Sequence, residues 1–195
     1  MKAEKAILGL SLLALAFIVL HWPGGNSLLI LALSSLSMMY FAGGFYFFCD
    51  KTIGQQNLPL SIVSGILLST APSAILFKLM YWPGAPHMLV ASTFPAIVLM
   101  VIVYRLKLKA PEALHVYYKN MLIRTTVFAV LCSLMMAIPT TAIIKIRHLN
   151  NPELAKLRIQ LFEHPENEEY RRQVENYEKR KDSLDFSSEQ QNNGK

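Results

Sequence analysis

Long apolar runs that carry almost no charge limit this chain more than any other feature of its sequence. Of its 19 basic and 13 acidic residues, residues 1–148 hold 11 and 3, and residues 149–195 hold 8 and 10. An average soluble domain is about 25% charged, whereas about a tenth of the first 148 residues are. We therefore predict that this part is surrounded by lipid. The net charge of +6 lies in loops between apolar runs, so nucleic acid is not a predicted partner.

The apolar runs have the length of membrane-spanning helices. A helix that crosses the hydrocarbon core needs ~20 mostly apolar residues, and lipid leaves helices as the structure that satisfies the backbone here. We predict an all-α, polytopic membrane bundle of about five transmembrane helices, arranged as two hairpins plus one. The predicted spans are residues 6–22, 27–48, 58–82, 88–104 and 125–144. The first run lacks a small-x-small cleavage site, so we interpret it as a retained span and not as a signal peptide.

The distribution of basic residues predicts the orientation. With the N-terminus inside, eight basic residues face the cytoplasm and three face the other side, which the positive-inside rule favours. Five spans then place the tail in the periplasm of a bacterial inner membrane. Arg124 at the start of the fifth run and Pro139 within it also allow a segment that does not cross. In that alternative four spans remain and the tail is cytoplasmic.

An internal repeat joins the predicted spans into hairpins. His21-Trp22-Pro23-Gly24 and Tyr81-Trp82-Pro83-Gly84 share Trp-Pro-Gly at a spacing of 60 residues, and the alignment upstream needs an offset of one. Trp, with His or Tyr before it, suits the headgroup level. Pro ends a helix and Gly permits a tight reversal. Each motif therefore predicts a turn at the membrane interface.

The second copy, Phe77-Lys78-Leu79-Met80-Tyr81-Trp82-Pro83-Gly84-Ala85, resembles the turn between the two membrane helices of the gliding-motility and type IX secretion protein family GldL. The first copy keeps His21 but has Val19 near the position of the lysine. The resemblance implies a shared hairpin construction, apparently duplicated. The family's motor activity depends on an acidic residue in the second membrane helix. The matching depth here falls near Leu36 and Ala96, so we do not carry that activity over.

Lys78 is the charge that lies deepest in a predicted span, four residues before Trp82. One helical turn corresponds to about 5.4 Å, a distance that a lysine stem can bridge by snorkelling to the interface. The alternative is that Lys78 pairs with another group or has a gating role.

Small residues in the third run predict close helix packing. Ser61, Gly65 and Ser69 recur every four residues and place small side chains on one helical face. Ser34, Ser35 and Ser37 in the second run serve either packing or a polar seam. Pro72, Pro95 and Pro139 are expected to kink or break their helices.

No catalytic or cofactor motif occurs in the sequence. The histidines lack metal-ligand spacing, and His21 and His87 are interpreted as interfacial anchors. Phosphate-binding loops, nucleophile elbows and Cys-x-x-Cys pairs are missing as well. We therefore predict neither an enzyme nor a cofactor or metal site.

The charged segments outside the runs predict surface helices. Residues 149–182 form a charged amphipathic tail, with Asn151-Pro152-Glu153 as a helix start and Pro165 opening a second helix. We expect its apolar stripe to meet a partner, another copy or the membrane, and residues 183–195 to be disordered. In the basic segment 105–120, residues 110–119 are predicted as a short interfacial helix that Pro111 and Glu112 start against anionic headgroups, and the alternative is a solvated loop.

These features predict a structural role. The expected function is a scaffold or assembly subunit of an envelope complex, whose partners are membrane lipid and other membrane or envelope proteins, a second copy included. The alternative is a small-solute transporter or channel component, which an accessible polar seam through Ser34, Ser35 and Ser37 would favour.

Overall fold

The protein is all-helical throughout the part of the chain that its computed structural model describes, residues 2–20, 22, 24–48 and 57–193. The chain forms two compact units, Met1–Ile138 and Pro139–Lys195. The first unit holds five helices. They are α1 (Lys2–Val19), α2 (Gly25–Phe48), α3 (Leu58–Leu79), α4 (Ala85–Lys109) and α5 (Glu112–Ala137). The second unit holds α6 (Thr140–Arg147), α7 (Pro152–Glu163) and α8 (Glu168–Asn193).

Asparagine and proline precede the starts of α3 and α5 in the first unit. The Asn57 side chain accepts a hydrogen bond from the Leu60 N–H and starts α3. Pro111, in an extended conformation, precedes α5, and the acidic Glu112 in its first turn suits the positive end of the helix dipole. Pro72 and Pro95 lie inside the continuous helices α3 and α4.

Among the residues that the structure describes, four helices are long and apolar enough to cross a membrane: residues Gly25–Gly43 within α2, and the whole of α3, α4 and α5. The prediction of a helical membrane bundle is thereby confirmed in its class, whereas the count of about five spans is not. The first predicted span, residues 6–22, corresponds to α1, which is not one of the four. The charges of Lys2, Glu4 and Lys5 at its start lower its apolar character.

The fifth predicted span, residues 125–144, has different bounds in the structure. α5 begins at Glu112 and continues through Lys119 and Arg124 to Ala137. Ile138 is extended ahead of Pro139, and a new helix starts at Thr140. Proline disfavours a helical conformation in the residue before it and lacks an N–H of its own. Pro139 therefore breaks this segment in two, and α5 includes the stretch that was predicted as a short interfacial helix or loop.

Interhelical contacts define the directions of the helices in the first unit. The Ser37 hydroxyl of α2 donates to the Ser69 carbonyl of α3 at 2.7 Å and accepts from Ser73 at 2.9 Å, which fits an antiparallel pair. Ser61 of α3 lies level with Tyr117 of α5, and Ser64 with Met121, so α3 and α5 run in the same direction. The core lies where α2, α3, α4 and α5 meet. Its largest buried members are Leu36, Tyr40, Leu68, Leu89, Leu99, Tyr117, Tyr118, Met121 and Phe128.

The second unit contains a helical hairpin. α7 and α8 pack against each other, with Leu154, Ala155 and Val174 buried and Arg158 paired with Glu178 between the helices. Of the tail's apolar stripe, Leu154 and Val174 are thus covered within the hairpin, whereas Leu157, Leu161, Tyr170 and Tyr177 are half-buried. α7 starts after Asn151 as predicted, but α8 starts at Glu168 after Asn167, whose side chain accepts from the Glu169 N–H. α8 continues to Asn193, where a disordered terminus was predicted.

Candidate functional site

A buried ion pair inside the first unit is the group of side chains best suited to a functional role. Arg124 of α5 donates to both oxygens of the Glu4 carboxylate, Nε to Oε1 at 2.9 Å and Nη2 to Oε2 at 2.8 Å. The Tyr40 hydroxyl of α2 donates to Glu4 Oε1. We call these three residues the ion-pair cluster. It joins α1, α2 and α5. In the sequence, Glu4 is 36 positions from Tyr40 and 120 positions from Arg124.

The ion-pair cluster is well shielded from its surroundings. The side chains of Arg124 and Glu4 are 13% and 11% exposed, and Tyr40 is 2% exposed with its ring edge against Phe128. A bidentate guanidinium–carboxylate pair is the strongest common geometry for such a contact. Because the two charges cancel, the cluster carries no net charge into the bundle.

Two of the three members of the ion-pair cluster lie within candidate spans. Tyr40 falls within residues Gly25–Gly43 and Arg124 within Glu112–Ala137, whereas Glu4 lies in α1, which is not a candidate span. Arg124 lies five residues after the exposed Lys119, about 7.5 Å along the axis at 1.5 Å per residue. Ionisable residues at such positions face a bundle interior, pair with each other and mark functional sites.

Opposing effects act on the Glu4 carboxyl, which precedes the apolar run of α1. Burial raises the pKa of Glu4, but the hydrogen bonds from Arg124 and Tyr40 and the positive charge of Arg124 lower it more. The net result is that the pKa of Glu4 lies below its ordinary value, so the carboxylate is ionised at neutral pH.

Sequence reasoning missed this cluster. Glu4 stands between Lys2 and Lys5, where it looks like one charge of a polar flank, and Arg124 looks like the boundary of the fifth run. One signal was available. An arginine among apolar residues needs an opposite charge, and Glu4, Asp50 and Glu112 are the acids in residues 1–148. Leu36 and Ala96, the positions matched to the acid of the GldL family, are both buried apolar residues.

The two Trp-Pro-Gly turns have the same backbone design. The Trp22 N–H donates to the Phe17 carbonyl at 2.8 Å, and the Trp82 N–H to the Phe77 carbonyl at 3.0 Å. In each pair the rings meet edge to face with centroids 5.0 Å apart. Each turn therefore uses a phenylalanine five residues before its tryptophan, and the spacing of 60 extends upstream without the predicted offset. Ile18, and not Val19, matches Lys78.

Glycine makes both reversals possible. Gly24 and Gly84 have φ values of +84° and +83°, a left-handed conformation that costs other residues about 1–2 kcal/mol. The Gly24 and Gly84 carbonyls then accept from Leu28 and Met88 in the first turns of α2 and α4. Trp22 is exposed, as is Trp82 together with Pro83. His21 and Pro23 lie outside the described residues.

Lys78 and Tyr81 differ from a simple interfacial pattern. Lys78 is 5% exposed and lies among the buried residues of α3. That location inside the protein agrees better with the pairing alternative than with snorkelling. Tyr81 is half-buried and has a positive φ of 57° just after α3.

The small residues of α3 lie at helix contacts. Ser61, Gly65 and Ser69 are buried, and the Ser61 hydroxyl lies 2.6 Å from that of Tyr117 in α5. The serines of α2 do not form one seam, because Ser34 and Ser35 are exposed whereas Ser37 bonds to α3. His87 is exposed. No group of three or more His, Cys, Asp or Glu side chains suited to a metal occurs among the described residues.

Together these observations define a protein that is helical in its described residues, in which four helices are long and apolar enough to cross a membrane and an ion pair is buried within the same unit. Comparison of the chain with protein-family models, with curated proteins and with solved structures finds no match.

Proposed function

We propose that this protein is an integral membrane scaffold or assembly subunit of a cell-envelope complex, built on two hairpins of the GldL type. One observation carries the proposal: the buried polar side chains of the first unit tie neighbouring helices together. Ser37 and Ser73 connect α2 with α3, Ser61 connects α3 with Tyr117 of α5, and the ion-pair cluster connects α1, α2 and α5. Such ties hold helices in one arrangement, which is what a scaffold requires.

The proposed location is the bacterial inner membrane, with the N-terminus in the cytoplasm. The basic residues of the α4–α5 connection support this orientation by the positive-inside rule. α5 is one of the four candidate spans, and it runs in the direction of α3. Residues 139–195, which follow α5, are therefore proposed to lie in the periplasm, whether or not α1 crosses completely. We propose no enzymatic activity and no cofactor.

A test of the scaffold role uses the full chain in native membranes. Membranes are solubilised in a mild detergent and separated on a native gel, with the tagged protein detected. The proposal expects a band well above the mass of a monomer. Replacing the exposed Lys156 and Arg172 by Glu should shift the protein to a smaller species if the second unit binds the partner.

The control pair, Arg105→Gln with Lys109→Gln, removes charge from the exposed end of α4 without reversing it. Six of the eight basic residues proposed to be cytoplasmic remain, so the band should stay in place. A wild-type protein that migrates only as a monomer would contradict the proposal.

A transporter or channel component is the second candidate, and the ion-pair cluster favours it. Paired ionisable groups within spans line the ion and proton pathways of many transporters. Measurement of proton or solute flux in liposomes containing the protein would decide, since this candidate requires a flux that Glu4→Gln abolishes.

A further inference from the structure

A groove on the outer surface of the first unit lies between α4 and α5. Met100, Val101 and Tyr104 of α4 and Leu122 and Thr126 of α5 line a volume of about 260 Å³. Val101 and Tyr104 are each 50% exposed, so the groove is open to the surroundings. Because α4 and α5 are both candidate spans, those surroundings are lipid chains wherever the helices cross the bilayer.

On each of the two helices, a lysine lies next to the residues that line the groove. Lys107 follows Tyr104 by three residues on α4, and Lys119 precedes Leu122 by three on α5. Residues three apart on a helix are neighbours on one face. The two helices are joined through Ala110 and Pro111, and Ser92 of α4 contacts Cys132 of α5 farther along. The helices are thus antiparallel, and both lysines lie at the same end of the groove.

The charge at this end is strongly positive. Arg105 and Lys109 add to Lys107 and Lys119, whereas Glu112 is the one acid between residues 104 and 119. Lys119 is exposed and Lys107 half-buried. Tyr104 lies at the border between the apolar groove and the basic end, a place that interfacial tyrosines favour.

An apolar channel that ends at two lysines matches the chemistry of an anionic phospholipid. We infer that the groove holds an acyl chain of one such lipid, and that Lys107 and Lys119 bind its phosphate. This lipid site goes beyond the scaffold role and does not depend on it. A retained lipid at this position fills the surface between α4 and α5 and favours membranes with negatively charged headgroups.

The test compares two lipids that differ in headgroup charge. The full-length protein, purified in mild detergent, is mixed with equal amounts of palmitoyl-oleoyl phosphatidylglycerol and phosphatidylcholine, and bound lipid is counted by native mass spectrometry. Each basic side chain near an anionic headgroup is worth about fivefold in binding. Lys107→Gln with Lys119→Gln should therefore lower the retention of phosphatidylglycerol roughly 25-fold relative to the wild type, as estimated from two such contacts.

The matched control compares two single variants, Lys107→Gln and Lys109→Gln. They remove the same charge from the same helix end but from opposite faces of α4, since two residues correspond to a rotation of about 200°. Lys107→Gln should lower retention about fivefold, the value of a single direct contact, and Lys109→Gln should lower it clearly less. Equal losses in the two single variants would overturn the inference, because they would show general attraction and no defined site. Equal retention of the two lipids by the wild type would overturn it as well.

A third variant tests the acyl chain. Val101→Phe fills the groove from an exposed position, so the fold should tolerate it, as circular dichroism can verify. We expect it to reduce retention of phosphatidylglycerol, and inorganic phosphate in excess should fail to displace the lipid. Unchanged retention in Val101→Phe, or displacement by phosphate alone, would show that the groove does not hold the chain.

Discussion

Arg124 shows how a single charged residue is kept inside an apolar bundle. A charged side chain near the centre of a spanning helix costs about 2.5–3.5 kcal/mol on insertion scales. The Glu4 carboxylate accepts a hydrogen bond from the Arg124 guanidinium. Glu4 also accepts a hydrogen bond from the Tyr40 hydroxyl. Each member of the cluster therefore depends on the other two.

Replacing Arg124 by glutamine should destabilise the protein strongly. The substitution leaves the Glu4 carboxylate buried without its counter-charge, and breaking a buried pair in this way costs about 3–5 kcal/mol. We expect a clear fall in the unfolding midpoint in detergent, followed by circular dichroism. The control, Arg105→Gln, removes an exposed charge and should have little effect.

The double variant Glu4→Gln with Arg124→Gln separates charge from contact. Both charges disappear together and the two amides can still bond, so most of the lost stability should return. Equal destabilisation in the single and double variants would contradict the role assigned to the charge pair.

Acid should weaken the same contact. The pKa of Glu4 in the folded protein lies below the value of 4.5 that it has without its partners. The contribution of the pair to stability is then complete above about pH 4.5 and is lost as the pH falls further through the folded-state pKa. The unfolding temperature of the wild type should therefore fall once the pH is lower than about 4.5, as thermal unfolding in detergent at a series of pH values would measure. A Glu4→Gln variant with the same acid sensitivity as the wild type would contradict this assignment.

At the scale of the helices, the two Trp-Pro-Gly turns show one solution used twice. Phenylalanine, tryptophan and glycine have the same roles in both copies, with matching hydrogen bonds and ring distances. The turns therefore repeat as structural units, including the phenylalanine that the sequence alignment displaced by one residue.

Gly84→Ala should destabilise the second hairpin. A Cβ at this position meets no neighbouring atom within 4 Å, so the cost comes from the positive φ alone and should be about 1 kcal/mol. Gly9→Ala is the matched control, because Gly9 also has open space around its Cβ but lies within α1. There alanine should gain about 0.5–1 kcal/mol. Opposite shifts of the unfolding midpoint would verify the explanation, and a loss of stability in both would contradict it.

The buried face of α3 gives a second prediction for a helix. Gly65→Leu adds a large side chain to a buried position, and overpacking of this kind typically costs 1–3 kcal/mol. Ile66→Leu, at the neighbouring exposed position, conserves volume and should be neutral. Both are measured by thermal unfolding in detergent. A neutral Gly65→Leu would show that the small residues of α3 do not set the packing distance.

At the scale of the whole molecule, the four candidate spans of the described residues are α2 to α5, and within the first unit α1 falls outside this set. The alternative prediction of four spans left out the fifth run instead of the first. It therefore put the tail in the cytoplasm. With α5 among the candidates, the end of α5 and the Trp-Pro-Gly turns share one side of the bundle.

Labelling of a cysteine placed at the exposed Ser183 tests the proposed side of the second unit. With Cys49 replaced by serine, Ser183→Cys should react with a membrane-impermeant maleimide in intact spheroplasts. Cys132 is buried and should stay unlabelled in the parent. Labelling that requires permeabilised cells would place the second unit in the cytoplasm and contradict the proposed orientation.

The helix boundaries show where sequence reasoning succeeds and where it does not. The starts at Pro111 and Asn151 follow from local chemistry that is visible in the sequence, since proline and asparagine suit the first positions of a helix. The bounds of the fifth span were wrong because Lys119 and Arg124 look like a polar border. The charge of Arg124 does not reveal its partner Glu4, which lies 120 positions away. That partner is what allows Arg124 to stay inside α5.

The sequence by itself determined the helical class, the apolar helices long enough to cross a membrane and the two glycine turns, because apolar length, charge content and backbone freedom are local properties. The tertiary structure alone decided that Glu4, Tyr40 and Arg124 meet, that Lys78 is buried, and that Ser37 bonds to α3 whereas Ser34 and Ser35 are exposed. Those outcomes depend on how separate helices rotate and align against each other, and the pattern within a single helix does not contain that information.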